Sequence, residues 1–152
     1  MSELRDLYQE VILDHNRHPR HFGPLPNANR SAKGHNPLCG DRVTVYLDVQ
    51  GETIRGIAVE GSGCAISTAS ASLMTEALEG KSVADARALF RRFHALLTDP
   101  QPAPADDDLG KLEALTGVRE FPMRVKCATL AWHALQTALD SPDDATISTE
   151  AS

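Results

Sequence analysis

The chain has 152 residues, 41% of them hydrophobic, and a formal net charge of −6. A chain of this length is expected to form one domain that buries about 68 to 70% of its unfolded surface without a metal ion or disulfides. The negative charge, with no basic run interleaved with aromatic residues, argues against a nucleic-acid partner. No apolar run reaches the roughly 18 residues of a membrane span, so we expect a cytoplasmic protein with no membrane partner.

Hydrophobic periodicity predicts a first helix that Ser2 caps and that ends near Pro19. Its apolar stripe consists of Leu4, Leu7, Val11 and Ile12. Residues 20 to 38 are rich in Pro, Asn, Gly and His and are predicted to form a loop, with a short edge strand before Cys39 as an open alternative.

A β-hairpin is predicted next. Residues 42 to 49 place Val43, Val45, Leu47 and Val49 on one face, as in a half-buried strand. The pattern resumes from Thr53 to Glu60 after a turn at Gly51. The irregular spacing of Ile54 and Ile57 indicates a bulge near Gly56.

The hairpin brings three ligand-type side chains to one end. If opposing residue numbers sum to about 102, Asp41 lies opposite Gly61 and Cys39 opposite Gly63. Cys39, Asp41 and Cys64 are then expected to lie together, whatever the rest of the fold.

Three further helices are predicted, over residues 65 to 79, from Ser82 to Thr98, and from Cys127 to Leu139. Ser82 begins a sequence that resembles a capping box. The predicted core face of the last helix consists of Cys127, Leu130, Ala131, Ala134, Leu135 and Ala138. Cys64 and Cys127 would each begin a helix, where the helix macrodipole stabilises a thiolate. Residues 99 to 117 are predicted to be an inserted loop, because the segment opens with a run of prolines and acids. Residues 141 to 152 are predicted to be a disordered acidic tail that follows a folded domain of residues 1 to 140.

The three cysteines cannot form a closed set of disulfides, and in a reducing compartment they favour metal binding or thiol chemistry. Three thiols with one carboxylate suit a four-coordinate zinc site. No C-x-x-C pair is present, however, and three small buried hydrophobic residues are the alternative. His15, His18 and His21 are spaced by three residues, but Pro19 interrupts the helix between them and disfavours a second metal site.

Three motifs occur in order: Gly34-His-Asn-Pro-Leu-Cys-Gly-Asp41, Gly61-Ser-Gly-Cys-Ala-Ile-Ser67 and Arg124-Val-Lys-Cys-Ala128. Together with the preceding residues 8 to 23, they resemble the SufU/IscU family of iron-sulfur cluster assembly proteins. Lys126 stands where the IscU-type scaffold has a histidine, and the segment between Cys64 and Cys127 carries a long insertion. Both features favour the SufU branch.

The resemblance implies a compact α+β domain with a three-stranded antiparallel sheet and helices packed on it. It also implies a zinc-dependent sulfurtransferase that accepts persulfide sulfur on Cys39 from a SufS-type cysteine desulfurase. Downstream iron-sulfur assembly proteins would be further partners. The implied zinc ligands are Cys39, Asp41, Cys64 and Cys127, and a desulfurase histidine would replace Cys39 at zinc to free it as the nucleophile.

The three thiolates and the carboxylate outweigh the charge of Zn²⁺, and we expect Arg124 or Lys126 to balance the excess. Two other functions stay open. The chain could be a scaffold on which iron-sulfur clusters are assembled and handed on, with the cluster as its cofactor. It could also be a structural zinc domain without a reactive thiol.

Overall fold

The structure is a computed structural model that describes residues 2–37, 40–99, 109–119, 121–140 and 145–148. Side chains are described within these ranges except at residues 2–8, 113 and 145–148. Four α-helices, one 3₁₀ helix and four strands occupy the described residues, in the order α1 Ser2–Arg17, β1 Arg30–Asn36, β2 Asp41–Gln50, β3 Thr53–Ser62, α2 Ala65–Leu78, α3 Val83–Thr98, the 3₁₀ helix Gly110–Val118, α4 Pro122–Asp140 and β4 Ala145–Ser148. None of the described helices is long and apolar enough to cross a membrane.

The sheet has the strand order β3-β2-β1-β4. Strands β1, β2 and β3 are antiparallel neighbours, and α4 packs on β1 and β2. The predicted α+β fold with a three-stranded antiparallel sheet is therefore confirmed. A strand does precede Cys39, because β1 occupies Arg30–Asn36, but it is not an edge strand, since it pairs with β2 on one side and β4 on the other.

The hairpin register differs from the prediction by one residue next to the turn and by two residues beyond the bulge, from Asp48 to Arg42. Val43, rather than Asp41, pairs with Gly61. The predicted bulge is confirmed, because Asp48 pairs with Gly56 while Val49 pairs with Ile54. Since side chains alternate between faces with a period of two, the two-residue shift leaves the side chains from Arg42 to Asp48 on their predicted faces. Asp41 consequently lies one position beyond the last pair, Arg42 with Ser62.

Helix α4 begins at Pro122, five residues before Cys127, so the prediction that Cys127 begins a helix is wrong. Proline is favoured at the first helical position, because its missing N–H would have no partner there and its φ is already helical. Cys127 therefore lies in the second turn of α4 and is buried, at 4% exposure.

Strand β4 lies within the segment that was predicted to be disordered. Residues Ala145–Ser148 pair in parallel with β1, from Ala32 with Ala145 to His35 with Ser148. The prediction is wrong for these four residues: Thr146 and Ile147 are β-branched, and the edge of β1 offers backbone groups for pairing. The other residues of 141–152 lie outside the described residues, as does the acidic part of the predicted loop at 100–108. The rest of that loop includes most of the 3₁₀ helix.

The core lies between the inner face of the sheet and the helices. The four valine and leucine side chains predicted for the inner face of β2 are all buried. So is every residue of the predicted apolar face of α4, namely Cys127, Leu130, Ala131, Ala134, Leu135 and Ala138. Each large aliphatic side chain buried in this way contributes about 1.5 to 3 kcal/mol. Helix α3 begins as predicted, because the Ser82 side chain accepts a hydrogen bond from Asp85 N at 3.0 Å.

A buried polar contact joins α1 to α2. His15 Nδ1 lies 2.7 Å from Ser72 Oγ, and Ser72 Oγ also accepts a hydrogen bond from Arg20 N at 2.8 Å. His15 Nε2 is buried and has no hydrogen-bond partner among the described residues. Burial is the main cause that lowers the pKa of His15, and the nearby Arg20 lowers it further. A protonated His15 would place a charge and an unpaired N–H in the core.

We predict that acid destabilises the fold through His15. The unfolded imidazole takes up a proton near pH 6.5, whereas the folded one resists it because its pKa is lowered. The contribution of His15 is therefore fully present above pH 6.5 and is lost as the pH falls toward the lowered folded pKa. Its slope is at most about 1.4 kcal/mol per pH unit. The measurement is the free energy of unfolding in urea between pH 8 and pH 5.

The matched pair for this measurement is His15→Gln and His18→Gln, because both histidines lie near the end of α1 but His18 is exposed. His15→Gln should flatten the dependence of unfolding free energy on pH, and His18→Gln should retain the wild-type slope. Equal slopes in wild type and His15→Gln would contradict the prediction.

Candidate metal centre

Asp41 is the first residue of β2 and is buried, at 1% exposure. Its Oδ1 accepts a hydrogen bond from the backbone N of Cys64 at 2.9 Å. A buried carboxylate needs such a partner, and a backbone N–H at a helix N-terminus is well suited to supply it. The bond fixes the carboxylate so that its other oxygen, Oδ2, lies 3.7 Å from Cys64 Sγ.

Cys64 is the N-cap residue of α2 and has an extended backbone conformation. Its Sγ accepts a weak hydrogen bond from Ser67 N at 3.4 Å, in the way that a serine oxygen caps a helix. Cys64 is exposed, whereas Asp41 and Cys127 are buried. Cys64 therefore combines access from solvent with a sulfur that the helix N-terminus holds in place.

Asp41, Cys64 and Cys127 form a cluster whose ligand atoms all lie within 4.8 Å of one another. It is the one group of three or more His, Cys, Asp or Glu ligands found in the part of the chain that the structure describes. The three residues come from β2, the start of α2 and the second turn of α4. The predicted convergence of Asp41 with Cys64 is confirmed in position, and Cys127 joins them from a third element.

Two glycines make room for this arrangement. A Cβ on Gly63 would lie 2.7 Å from Asp41 Oδ1 and 3.0 Å from its Cγ, so only glycine lets the carboxylate lie against this backbone. At Gly61, φ is +147°, and a Cβ would overlap the backbone oxygen of Arg42. The motif glycines thus allow β3 to pass close to β2 beside Asp41.

The cluster suits a zinc ion. Tetrahedral zinc with ligands at about 2.3 Å for sulfur and about 2.1 Å for oxygen places a sulfur and an oxygen ligand about 3.6 Å apart. The distance of 3.7 Å between Cys64 Sγ and Asp41 Oδ2 agrees with this spacing. Two sulfurs and one carboxylate leave one position of a four-coordinate site for a further ligand.

Three other residues were predicted to belong to the site, namely Cys39, Arg124 and Lys126. Cys39 lies outside the described residues, in the connection between β1 and β2. Arg124 is exposed and its guanidinium carbon lies 4.8 Å from the centre of the Phe121 ring. Lys126 is half-buried in the turn of α4 before Cys127. Among the described residues, neither cation forms an ion pair with Asp41, so their charge-balancing role stays a prediction.

The profile of the NifU-like N-terminal domain matches residues 7–128 of this chain. The chain belongs to the NifU-like N-terminal domain family. All three residues of the cluster fall within the matched segment. The predicted family is thereby confirmed, since the relatives of this NifU-like chain carry the names IscU and SufU.

Two curated relatives are each 42% identical to this NifU-like chain. One is the iron-sulfur cluster assembly scaffold protein IscU of Streptococcus pyogenes, over 139 residues that cover 91% of the chain and 86% of the relative. The other is the zinc-dependent sulfurtransferase SufU of Bacillus subtilis, over 137 residues that cover 89% of the chain and 90% of the relative. The chain is thus a member of an iron-sulfur cluster assembly family whose named members have different roles.

A solved structure supports the same assignment. The putative iron-sulfur cluster assembly scaffold protein for the SUF system of Fervidobacterium islandicum matches with a TM-score of 0.81 and 33% identity. The match covers 89% of the NifU-like chain and 98% of that structure. The order of strands and helices described above is therefore shared with a family member.

Sequence reasoning missed the parts of the site that act through the backbone. The role of Gly63 depends on Asp41 lying opposite it, which the register predicted from the turn did not give. The Cys64 N–H donor to Asp41 was likewise not predicted, although a carboxylate close to a helix start is a recognisable signal. The position of Cys127 inside α4 could have been inferred from Pro122.

We predict that Gly63→Ala disrupts the cluster while the fold is retained. The new Cβ would force the Asp41 carboxylate away from Cys64 N, so affinity for Zn²⁺ should fall by about tenfold or more. The measurement is competition for Zn²⁺ against a chelating indicator, with circular dichroism to verify the fold. Gly117→Ala is the control, because a Cβ there meets nothing within 4 Å. Equal zinc affinity in the two variants would contradict the prediction.

Proposed function

We propose that this chain is a zinc-dependent sulfurtransferase of iron-sulfur cluster assembly that accepts persulfide sulfur on Cys39. The proposed zinc ligands are Cys39, Asp41, Cys64 and Cys127. The observation that carries the proposal is the cluster of Asp41, Cys64 and Cys127, with ligand atoms within 4.8 Å. The name of the Bacillus subtilis relative supports the zinc dependence and the reaction.

Chain connectivity supports Cys39 as the fourth ligand. Asn36 and Asp41 are paired across β1 and β2, and Gly40 N donates to Asn36 O at 2.8 Å. Consecutive Cα atoms are about 3.8 Å apart, so the Cα atom of Cys39 is within about 7 Å of the Asp41 Cα atom. A cysteine side chain from that distance can reach a metal ion that Asp41 holds.

The proposed reaction is a thiol-persulfide exchange. The Cys39 thiolate attacks the terminal sulfur of a persulfide on the desulfurase, and a new sulfur-sulfur bond forms on Cys39. The original sulfur-sulfur bond breaks, and the desulfurase cysteine leaves as a thiolate. Atoms and electrons balance without an external oxidant or reductant. Zinc, when bound, would supply the positive charge that keeps coordinated thiols deprotonated.

The anchoring of the three thiols distinguishes their proposed roles. Cys127 is buried in α4, so a partner's persulfide cannot approach it without displacing packed residues. Cys64 is exposed, but its sulfur accepts from Ser67 N and lies against Asp41. Cys39 belongs to a short connection between two strands, where loss of one ligand leaves the packed helices undisturbed.

The donor that we propose is a SufS-type cysteine desulfurase, and downstream iron-sulfur assembly proteins would receive the sulfur. The second candidate function is a scaffold for cluster assembly, with an iron-sulfur cluster as the cofactor. It is supported by the name of the Streptococcus relative, which is as similar as the sulfurtransferase. Lys126 favours the sulfurtransferase, because an ammonium group has no lone pair for iron, unlike the histidine of the scaffold motif.

We predict that Cys127→Ala removes the stabilisation that zinc gives the wild type. A ligand at one hundred times its dissociation constant stabilises a protein by about 2.7 kcal/mol, and this increment should disappear with the site. The measurement is the melting temperature with Zn²⁺ and with a chelator, alongside metal content. Thr129→Ala is the control, because Thr129 is also buried in α4 but bonds to its own helix at Val125 O. Full zinc occupancy in Cys127→Ala would contradict the ligand assignment.

We predict that the transferred sulfur resides on Cys39. The protein is incubated with a SufS-type desulfurase and cysteine, digested without reduction, and analysed by mass spectrometry. A mass increase of one sulfur is expected on the peptide with Cys39. Cys39→Ser should keep the melting temperature within a few degrees of wild type but fail to accelerate the desulfurase. An adduct on Cys64 or Cys127 instead would show that the proposed mechanism is wrong.

A further inference from the structure

A second buried network ties the two helices that carry the clustered cysteines. Ser70 of α2 is fully buried and its Oγ donates a hydrogen bond to the backbone oxygen of Ala128, the residue after Cys127. The same Oγ accepts from Trp132 Nε1 at 3.2 Å. Trp132 is itself fully buried, so both bonds form in an environment that excludes water.

The position of this network relates it to the cluster. Ser70 follows Cys64 by six residues, or about 9 Å along the axis of α2. Its bond ends at the carbonyl oxygen of Ala128, the residue that follows Cys127. The separation of the two sulfurs therefore depends on how α2 and α4 are aligned at Ser70, since the sulfurs come from different helices. Apolar packing alone would tolerate small sliding of one helix over the other, whereas a buried hydrogen bond does not.

We infer that Ser70 is a positioning residue that sets the separation of Cys64 and Cys127 by fixing α2 against α4. This inference rests on the proposed metal site, because its consequence is the geometry of the two sulfur ligands. The hydroxyl supplies direction as well as attraction: the indole N–H can only donate, so Ser70 Oγ accepts from it and directs its own proton to Ala128 O. Ala128 and Trp132 are one turn apart, so the two bonds together fix a full turn of α4.

Ser72 offers a matched control on the same helix. It is also fully buried and also bonds to another segment, but its partners are His15 of α1 and Arg20 N rather than α4. Ser70→Ala and Ser72→Ala remove the same hydroxyl from the same kind of environment. Both variants should lower stability, and only the first should change the relation between the two cysteines.

The test uses Co²⁺ as a spectroscopic substitute for zinc in the full-length chain. Wild type should show thiolate-to-cobalt charge-transfer absorption and the visible bands of a tetrahedral site. Ser70→Ala should shift or weaken these bands and bind Co²⁺ about tenfold or more less tightly, whereas Ser72→Ala should match wild type in both respects. A Ser70→Ala variant with the same spectrum and affinity as Ser72→Ala would overturn the inference.

The test also distinguishes failure of the proposed metal site from failure of this inference, and it allows for a variant that does not fold. Absence of the charge-transfer band in wild type would overturn the proposed metal site, and with it this inference. If Ser70→Ala does not fold, Ser70→Thr is compared with Ser70→Val, which have nearly the same shape but differ in the hydroxyl. The threonine variant must then bind Co²⁺ more tightly than the valine variant, and equal affinities would overturn the inference.

Discussion

The hydrogen bond from Cys64 N to Asp41 Oδ1 is the contact on which the candidate site depends. It joins the first residue of β2 to the start of α2, and its donor is a backbone N–H that every residue except proline supplies. Because one carboxylate oxygen is occupied in this way, the other is directed toward Cys64 Sγ. Gly63 is needed for this contact, since a side chain there would occupy the position of the carboxylate.

Three contacts link the sheet, α2 and α4 in pairs, and this hydrogen bond is one of them. Asp41 links the sheet to α2, Ser70 links α2 to α4, and Leu130 links α4 back to the sheet. The last link is close, because a Cβ on Gly34 of β1 would lie 3.0 Å from Leu130 Cδ1. Each pair of elements is therefore held independently of the third. The three ligand atoms are brought together by the fold itself, so a metal ion need not assemble the site.

The sequence predicted the features that local chemistry determines. Ser82 caps α3 as expected, and the apolar faces of β2 and α4 are buried, because capping and hydrophobic periodicity need only neighbouring residues. The hairpin register was wrong by one residue at the turn, and the extra residue of the bulge raised the error to two. Beyond the bulge the side chains still lie on their predicted faces of the sheet, because an error of two residues equals the side-chain period of a strand.

Features that depend on distant residues were not predictable in the same way. The contact of His15 with Ser72 joins positions 57 residues apart, and nothing near either residue indicates the other. The contact of Ser70 with α4 was unpredictable for the same reason, because the sequence around Ser70 is an ordinary run of small helical residues. Cys39, Asp41 and Cys64 were identifiable because glycine-rich motifs surround them, and Cys127 because it is the remaining cysteine of the chain. The residues that hold their helices together carry no such signal.

Under the proposed function, the cysteines would differ in how firmly the fold anchors them. Moving Cys127 would displace a helix packed on two strands, and moving Cys64 would break the cap of α2 and its contact with Asp41. The connection to which Cys39 belongs begins and ends at the paired residues Asn36 and Asp41, and Gly40 N donates a hydrogen bond to Asn36 O within it. The hydrogen bonds that hold Asp41 and Cys64, and the packing of α4 on the sheet, involve residues outside this connection or at its end. Under the proposed function, we therefore expect sulfur transfer at Cys39 to leave the cluster of Asp41, Cys64 and Cys127 in place.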